Sequence, residues 1–303
     1  MTLDVEVNPS GVEDQYLAGL NRCFGNWGDH ATYRWDFERE VGARAADLMV
    51  LRDEGDIVAG SAVSYRTVRF GDDEFLIGVM TGSWTLPEAR GRGAFSQVID
   101  ESRHLVSTRG GAVLIAFVTQ DNASRRRLVA AGCLEVPTWY VASTGETPAP
   151  ARAPIVEPGP SSVDELFRAR GRWQAEGTGA HVVYPSVEVW ASQYLDRPLP
   201  VERISAAGCD CLVERAAVSD RLLWIDGRNP SAAMAALLAR AVATERQLFV
   251  FTVDARLAQA GVDLGMVAKP GSITVLDAIE GPAGAAGRLS LPTDWRLQAG
   301  DRA

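Results

Sequence analysis

The sequence predicts a two-domain α/β protein of the α+β type, in which each domain has a mixed, mostly antiparallel sheet flanked by helices. The chain has 303 residues, which exceeds the usual length of one domain. Its first half predicts three strands, a helix, a strand, a helix and a strand, and its second half repeats much of this order. Five prolines between Ser143 and Ser162 disfavour helices and sheets there. We therefore predict domains at residues 1–145 and 163–303, joined by an extended linker at residues 146–162.

The first domain is predicted from its alternation and its turns. Apolar and polar residues alternate over residues 46–86, and two clusters of turn residues, Asp53–Asp56 and Gly71–Asp73, interrupt the alternation. This pattern predicts three antiparallel strands. Residues 12–23 predict a preceding helix, and residues 95–110 predict a following one because their apolar side chains have helical spacing.

The second domain shows the same kinds of signal in weaker form. Asn229 followed by Pro230 is typical of a helix N-cap and first helical position. The predicted strands are residues 210–218, 221–227, 248–254 and 272–279, and the predicted helices are residues 229–244 and 255–261.

The composition excludes several functional classes. The net charge is −9, so nucleic acid is not expected as a partner, because phosphate binding needs a basic face. The longest apolar runs are far shorter than the ~20 residues of a membrane-spanning helix, so no membrane partner is expected. The acidic N-terminus lacks the apolar core of a signal peptide, and we expect a cytoplasmic protein.

The cysteines do not predict a metal site. Cys209 and Cys211 are separated by one residue, which does not match the spacing of a zinc knuckle, and Cys23 and Cys133 are isolated. We expect reduced thiols and no metal.

The segment RGRGAF, residues 90–95, lies where the third predicted strand passes into a helix. A helix start exposes unpaired N–H groups, and glycines let an anion approach the backbone closely. With Arg90 and Arg92 adding positive charge, the segment is suited to bind a diphosphate. The alternative is a plain strand-to-helix turn with solvated arginines.

This loop and the order of the elements resemble the GNAT superfamily of acyl-CoA N-acyltransferases over residues 10–145. Arg90, Gly93 and Phe95 occupy the positions of that family's phosphate loop, although Phe95 replaces a small residue. The resemblance implies acetyl-CoA as the acyl donor, bound by the strand at residues 77–86 and the following helix starts. The implied donor-binding residues are Ser83, Trp84, Thr85, Leu86, Arg90, Gly91, Arg92, Gly93, Ala94, Phe95, Asn122 and Ser124.

A narrower resemblance covers almost the whole chain. The segments NRCFG, YRWDFE, PEARGRGAF and DWRLQAGD are similar to a tandem-GNAT group that resembles acetyltransferases for nucleotide-linked amino sugars, surface polysaccharides and secondary metabolites. In such proteins the second domain is typically degenerate. Here GRNPSAAM replaces its phosphate loop, and Pro230 offers no N–H group.

The catalytic groups are less well defined by the sequence. Many GNAT enzymes carry a carboxylate base on the donor-binding strand, but residues 77–86 contain none. Histidine suits this role, and we select His30 first and His181 second as candidate bases, with ordered water or the carboxylates Asp29, Asp36 and Glu38 as alternatives. Leu128 stands where the family often has a proton-donating tyrosine, which excludes direct protonation of the leaving thiolate from this position, and we expect solvent to supply the proton.

The sequence therefore predicts an N-acetyltransferase acting on a primary amine of a small molecule, such as an amino sugar or another secondary-metabolite intermediate. One alternative is a longer acyl donor, carried on CoA or on a carrier protein. Another is a non-catalytic sensor of acyl-CoA, because both the strand carboxylate and the tyrosine are missing.

Overall fold

The computed structural model describes residues 3–40, 46–175, 179–279, 284–289 and 295–302. It confirms the predicted mixed α/β fold, with a mostly antiparallel sheet flanked by helices. The chain divides into two compact units. The first contains Met1–Val136 and Ile273–Leu291, and the second contains Pro137–Ser272 and Pro292–Arg302. No helix in the described ranges is long and apolar enough to cross a membrane.

The first unit follows the predicted order after an additional strand at its start. Two short helical turns, Arg34–Glu38 and Pro87–Ala89, are π and 3-10 in type. The strands are β1 (Asp4–Val7), β2 (Asp47–Asp53), β3 (Asp56–Phe70), β4 (Asp73–Thr85), β5 (Val113–Thr119) and the start of β6 (Leu134–Ala142); the helices are α1 (Glu13–Phe24), α2 (His30–Tyr33), α3 (Ala94–Thr108) and α4 (Ala123–Ala130).

The three strands predicted from alternation form an antiparallel β2-β3-β4 meander. Glu54 and Gly55 both have positive φ, 51° and 96°, which is the backbone of a two-residue hairpin turn. β4 then pairs in parallel with β5, with α3 as the crossover helix. The other neighbour of β5 is the end of β13 (Val267–Asp277), where the Thr274 hydroxyl donates to the Ala116 carbonyl.

The second unit contains the two predicted helices, α7 (Pro230–Ala243) and α8 (Ala255–Asp263), and three of the four predicted strands, β10 (Cys209–Arg215), β11 (Ser219–Gly227) and β12 (Gln247–Thr252). The Asn229 side chain accepts a hydrogen bond from the Ala232 amide, as its N-cap position predicts. Within this unit the strand order is β6, β12, β11, β10, β9 and β7. The elements are β7 (Val156–Pro158), α5 (Val163–Ala175), β8 (His181–Val183), α6 (Val187–Tyr194), β9 (Val201–Ala206), β10 (Cys209–Arg215), β11 (Ser219–Gly227), α7 (Pro230–Ala243), β12 (Gln247–Thr252) and α8 (Ala255–Asp263); α9 (Ala285–Leu289) belongs to the first unit.

The linker prediction is wrong at residues 156–158, which form the edge strand β7 instead of an extended spacer. Val156 to Pro158 pair with Ile204 to Ala206 of β9. A proline is tolerated on an edge strand because its missing N–H does not interrupt an inner ladder.

The two units are not the contiguous ranges that the sequence predicts. Residues 139–142 of β6 pair with β12 in the second unit, although they precede the linker. Residues 273–277 of β13 belong to the first unit, although they lie near the C-terminus. A cut in the linker would therefore remove one strand from each unit.

A buried carboxylate joins four parts of the first unit. Asp47 of β2 accepts hydrogen bonds from the Tyr65 hydroxyl (2.6 Å), the Asn8 side chain (2.9 Å) and the Arg109 guanidinium (2.7 and 3.0 Å). Burial alone raises the pKa of Asp47, but these hydrogen bonds outweigh it and hold the pKa below its usual value. The charged carboxylate thus connects β2 with β3, the end of β1 and the end of α3.

Replacing this carboxylate tests its contribution to stability. Asp47→Asn removes the charge from a group that Arg109 contacts twice, and we expect a loss of about 2 kcal/mol in unfolding free energy. Because the folded-state pKa is lowered, the contribution is present near neutral pH and disappears as the pH falls below about 4. Thermal melting of the variant and wild type from pH 7 to pH 3 measures this difference.

Asp73→Asn is the control, since Asp73 and its partner Arg288 are half-exposed and such pairs contribute little. Equal melting temperatures for Asp47→Asn and wild type at pH 7 would contradict the assignment.

Candidate functional site

A cavity of about 340 Å³ lies in the first unit at the end of β4. Its walls come from the end of α1, the end of β4, the turn before α3, and the first turns of α3 and α4. The parallel pairing of β4 with β5 covers only Ile77–Val79 and Val113–Ile115. Beyond these pairs, the end of β4 presents an edge that β5 does not cover.

The end of β4 is shaped by a bulge. Gly60 pairs with Trp84 and Ala62 pairs with Thr81, so one residue of β3 faces two residues of β4. Gly82, in the bulge, has φ of 54°, and a Cβ there would lie 2.6 Å from the Phe37 ring. Both facts require glycine at this position.

Two hydroxyl groups hold the bulge in place. The Tyr16 hydroxyl donates to the Gly82 carbonyl at 3.0 Å, and burial raises the pKa of Tyr16 well above its usual value, so the proton stays on the oxygen. The Ser83 hydroxyl lies 2.7 Å from the hydroxyl of buried Ser61. The Ser83 side chain on the cavity wall is therefore positioned before any ligand binds.

The predicted phosphate loop begins α3 at the cavity. Gly91 and Gly93 have φ of 80° and 87°, a left-handed conformation that side chains disfavour. Gly93 is the N-cap and has no side chain to satisfy the first amides of the helix. The N–H groups of Ala94, Phe95 and Ser96 consequently point out of the helix start, which is an anion-binding arrangement.

The start of α4 also lines the cavity, so two helix N-termini meet there. The Asn122 side chain accepts from the Ser124 amide and caps α4. Arg90 and Arg127 line the same cavity, and neither forms an ion pair within the described part of the chain. The site thus combines two helix dipoles with two guanidinium groups, which favours an anionic ligand.

Most of the predicted donor-binding residues line this cavity. The exceptions are Leu86, which packs against the core around Tyr16, and Arg92, which pairs with Asp53 at 2.8 Å. The predicted residues on the cavity wall are Ser83, Trp84, Thr85, Arg90, Gly91, Gly93, Ala94, Phe95, Asn122 and Ser124.

Six lining residues were not predicted. Cys23 and Phe24 come from the end of α1, and nothing in the local sequence indicates which strand this helix end meets. Arg127 could have been identified from the sequence, because it lies one turn after Ala123 and therefore shares its helix face. The others are Ala89, Ser96 and Ala123.

His30 lies at the start of α2 and is half-exposed. Its Nδ1 is 2.8 Å from Glu13 Oε1, and its Nε2 is 3.5 Å from Asp14 Oδ1. Both ring nitrogens therefore face carboxylates of α1, and His30 does not line the cavity.

His181 belongs to the second unit and is buried on β8. Its Nδ1 lies 3.0 Å from the Gly179 carbonyl, which can only accept a hydrogen bond. Nδ1 therefore carries the proton, and in the neutral ring the lone pair is on Nε2.

The aromatic residues near the site belong mainly to the protein core. Tyr16 contacts Tyr33, Phe37 and Trp84 edge to face, and Trp27 stacks on Phe37 at 5.6 Å. Burial, with smaller effects of nearby carboxylates, raises the pKa of Tyr33 to about 12, so it is protonated at neutral pH. Among the described residues, no three histidine, cysteine or carboxylate side chains form a group that could hold a metal ion.

Comparison with known proteins agrees with this geometry. Residues 9–126 match the family model for an acetyltransferase (GNAT) domain. The family match thus assigns residues 9–126 to a GNAT acetyltransferase domain. This confirms the predicted resemblance and the predicted enzyme class, an acyltransferase. No curated protein matches the chain.

Solved GNAT structures share the fold over nearly the whole chain, at low sequence identity. A GCN5-related N-acetyltransferase from Sphaerobacter thermophilus is 17% identical, with a TM-score of 0.59 over 92% of this chain and 97% of that chain. A putative acetyltransferase from Pyrococcus horikoshii is 11% identical, with a TM-score of 0.62 over 99% and 95%. A tandem GNAT protein from the clavulanic acid biosynthesis pathway is 12% identical, with a TM-score of 0.56 over 92% and 100%.

A substitution in the phosphate loop tests the donor site. Gly93→Val places a branched side chain among the free amides of α3, and we expect CoA to bind at least tenfold more weakly, a loss of ~1.4 kcal/mol. Titration calorimetry with CoA measures this change.

Gly110→Val is the matched control, because Gly110 lies at the other end of α3, has φ of 72° and is equally open to solvent. Both variants carry the same backbone strain. Equal CoA affinities for the two variants would refute the assignment of the loop.

Proposed function

We propose that the chain transfers an acetyl group from acetyl-CoA to a primary amine of a small molecule, an amino sugar or another intermediate of secondary metabolism. The cavity where two helix N-termini and two arginines meet the uncovered end of β4 is the observation that carries this proposal. The helix starts and arginines suit the diphosphate of the donor, and the strand edge suits its amide-containing arm. The tandem GNAT protein of clavulanic acid biosynthesis supports a small-molecule acceptor.

In the proposed reaction the amine nitrogen attacks the carbonyl carbon of the thioester. A C–N bond forms, the C–S bond breaks, the nitrogen loses a proton to a base, and the thiolate gains one. Negative charge develops on the carbonyl oxygen during the attack. The backbone N–H and the hydroxyl of Ser83, held by Tyr16 and Ser61, are suited to stabilise this charge.

The leaving thiolate takes its proton from solvent in this proposal. Leu128, at the position where the family often has a tyrosine, is fully buried and has no acidic group. A thiol has a pKa near 8.5 in water, so its protonation needs no dedicated acid.

The two predicted bases, His30 and His181, differ in their hydrogen bonds. An alkyl ammonium has a pKa of ~10.4, so under ~0.1% of such an amine is neutral at pH 7 and a proton acceptor is needed. The Gly179 carbonyl fixes the His181 tautomer with its lone pair on Nε2. His30 directs both nitrogens at carboxylates, so it must leave one of these contacts before it can accept a proton from substrate.

Two alternative functions differ from this proposal in their chemistry. A longer acyl group, on CoA or on a carrier protein, would use the same phosphopantetheine arm. A non-catalytic sensor would bind acyl-CoA without releasing free CoA. The missing strand carboxylate and the missing tyrosine are the features that motivate this second alternative.

Incubation with acyl donors and an amine panel decides between these functions. We expect free CoA and an acetylated product with acetyl-CoA and at least one amino sugar, and loss of both with Gly93→Val. Gly110→Val is again the control. Tight acetyl-CoA binding without CoA release for any amine would show a sensor, and higher kcat/KM with a longer acyl chain would show the other donor class.

Histidine variants test the base. The base must be unprotonated, so kcat falls as the pH falls through its pKa and gives an acidic limb. We expect the variant that lacks the base, His30→Ala or His181→Ala, to lower kcat by about 10²- to 10⁴-fold without changing acetyl-CoA affinity.

His104→Ala is the control, since this histidine is exposed on α3 and belongs to neither candidate set. If both candidate variants keep the wild-type rate and acidic limb, the proton acceptor is a carboxylate or ordered water.

A further inference from the structure

The second unit contains the same strand arrangement that forms the cavity of the first. β11 and β12 are parallel and are joined by the crossover helix α7, as β4 and β5 are joined by α3. Their pairing also stops early, at Leu222 and Val250. Residues 223–227 of β11 and residues 251–252 of β12 therefore border a cleft on the side where the two strands part.

The C-terminal segment of the chain fills this cleft. The Gln298 side-chain amide donates to the Ile225 carbonyl of β11 at 3.1 Å. The following 3-10 turn, Ala299–Arg302, contacts both β11 and β12. The Arg302 guanidinium lies over the Phe251 ring, 4.5 Å from its centroid, and over the Tyr140 ring at 5.0 Å.

Hydrogen bonds from buried polar side chains also hold the 3-10 turn Ala299–Arg302 in place. The Asp301 carboxylate accepts from the Tyr184 hydroxyl at 2.9 Å and from Arg170 at 3.2 Å, and both charged side chains are almost fully buried. The Gln193 side chain donates to the Gly300 carbonyl at 2.6 Å.

Gly300 fits the turn closely against its neighbours. A Cβ at this position would lie 2.2 Å from the Tyr194 ring, so only glycine is accommodated. The close fit and the buried ion pair indicate a built site for this segment.

The loop between the strand and the crossover helix is much shorter in the second unit than in the first. Residues 86–93 separate β4 from α3, whereas only residues 228–229 separate β11 from α7. Pro230 occupies the first position of α7, so one of the free amides is missing.

We propose that Trp295–Arg302 is a built-in occupant of the second unit's cleft, which takes the place corresponding to that of the acyl donor in the first. The Gln298 side-chain amide donates a hydrogen bond to the uncovered edge of β11, as an amide of the pantetheine arm would donate one to a strand edge. The second unit is thereby closed to acyl-CoA by its own chain. The comparison with the donor rests on the proposed function, whereas the occupation of the cleft rests on the contacts alone.

Displacing the segment in the full chain tests the proposal. Gly300→Ala forces a Cβ against Tyr194, and Gln298→Ala removes the hydrogen bond to Ile225. We expect hydrogen exchange of residues 223–227 and 251–252 to rise at least tenfold in Gly300→Ala and by a smaller factor in Gln298→Ala. Residues 80–85 of β4 should keep their wild-type exchange rates.

Gly287→Ala is the matched control, because a Cβ there meets nothing within 4 Å. Unchanged exchange of residues 223–227 in both cleft variants would overturn the proposal. If Gly300→Ala does not fold, Gln298→Ala decides the outcome.

A further variant of the full chain tests the buried contacts of the segment. Asp301→Asn removes the charge that Arg170 contacts, and we expect faster hydrogen exchange of residues 223–227 than in wild type. Wild-type exchange of these residues in Asp301→Asn would contradict a built site.

The donor stoichiometry separates this proposal from the proposed function. CoA should bind wild type once per chain, and two CoA molecules per chain would overturn the closure of the second unit. The exchange experiments need no activity, so they remain decisive even if no amine acceptor is found.

Discussion

The parallel pairing of β4 with β5 ends at Val79, and the uncovered backbone beyond it is the constraint on which the site depends. Main-chain groups that leave a ladder must find other partners or remain in contact with solvent or ligand. The bulge at Gly82 and Ser83 turns this edge toward the cavity, and Tyr16 and Ser61 hold it there. The polar surface for a ligand is thus preformed and does not need to be organised during binding.

In the second unit the chain itself covers the corresponding strand edge. β11 and β12 also part early, but Gln298 and the turn after it occupy the edge. A strand edge whose backbone groups are hydrogen-bonded by the chain itself contributes to stability, and it can no longer bind a ligand. One topology therefore gives the candidate ligand site in the first unit and, in our proposal, a closed core in the second. The difference lies in the length of one loop and in a short C-terminal segment.

The sequence predicted features that depend on neighbouring residues and missed those that depend on distant ones. Gly91 and Gly93 were identifiable because their conformation is a local requirement of the strand-to-helix turn. Arg92 carries the same charge as Arg90, yet only the structure shows that Asp53 pairs with it. The pairing of residues 139–142 with β12 has no local signal either, because the partner lies about a hundred residues away.

The polar groups on the cavity wall include no base. They are hydroxyls, one thiol, one indole N–H, one amide and two guanidinium groups, and neither a carboxylate nor an imidazole is among them. A base must then come from another segment or from water, which limits how strongly an ammonium can be deprotonated. Each unit by which an amine's pKa falls below lysine's ~10.4 raises its neutral fraction at pH 7 about tenfold. Under the proposed function, an amino sugar, whose amine is less basic than lysine's, would therefore need less help from a base than an alkylamine would.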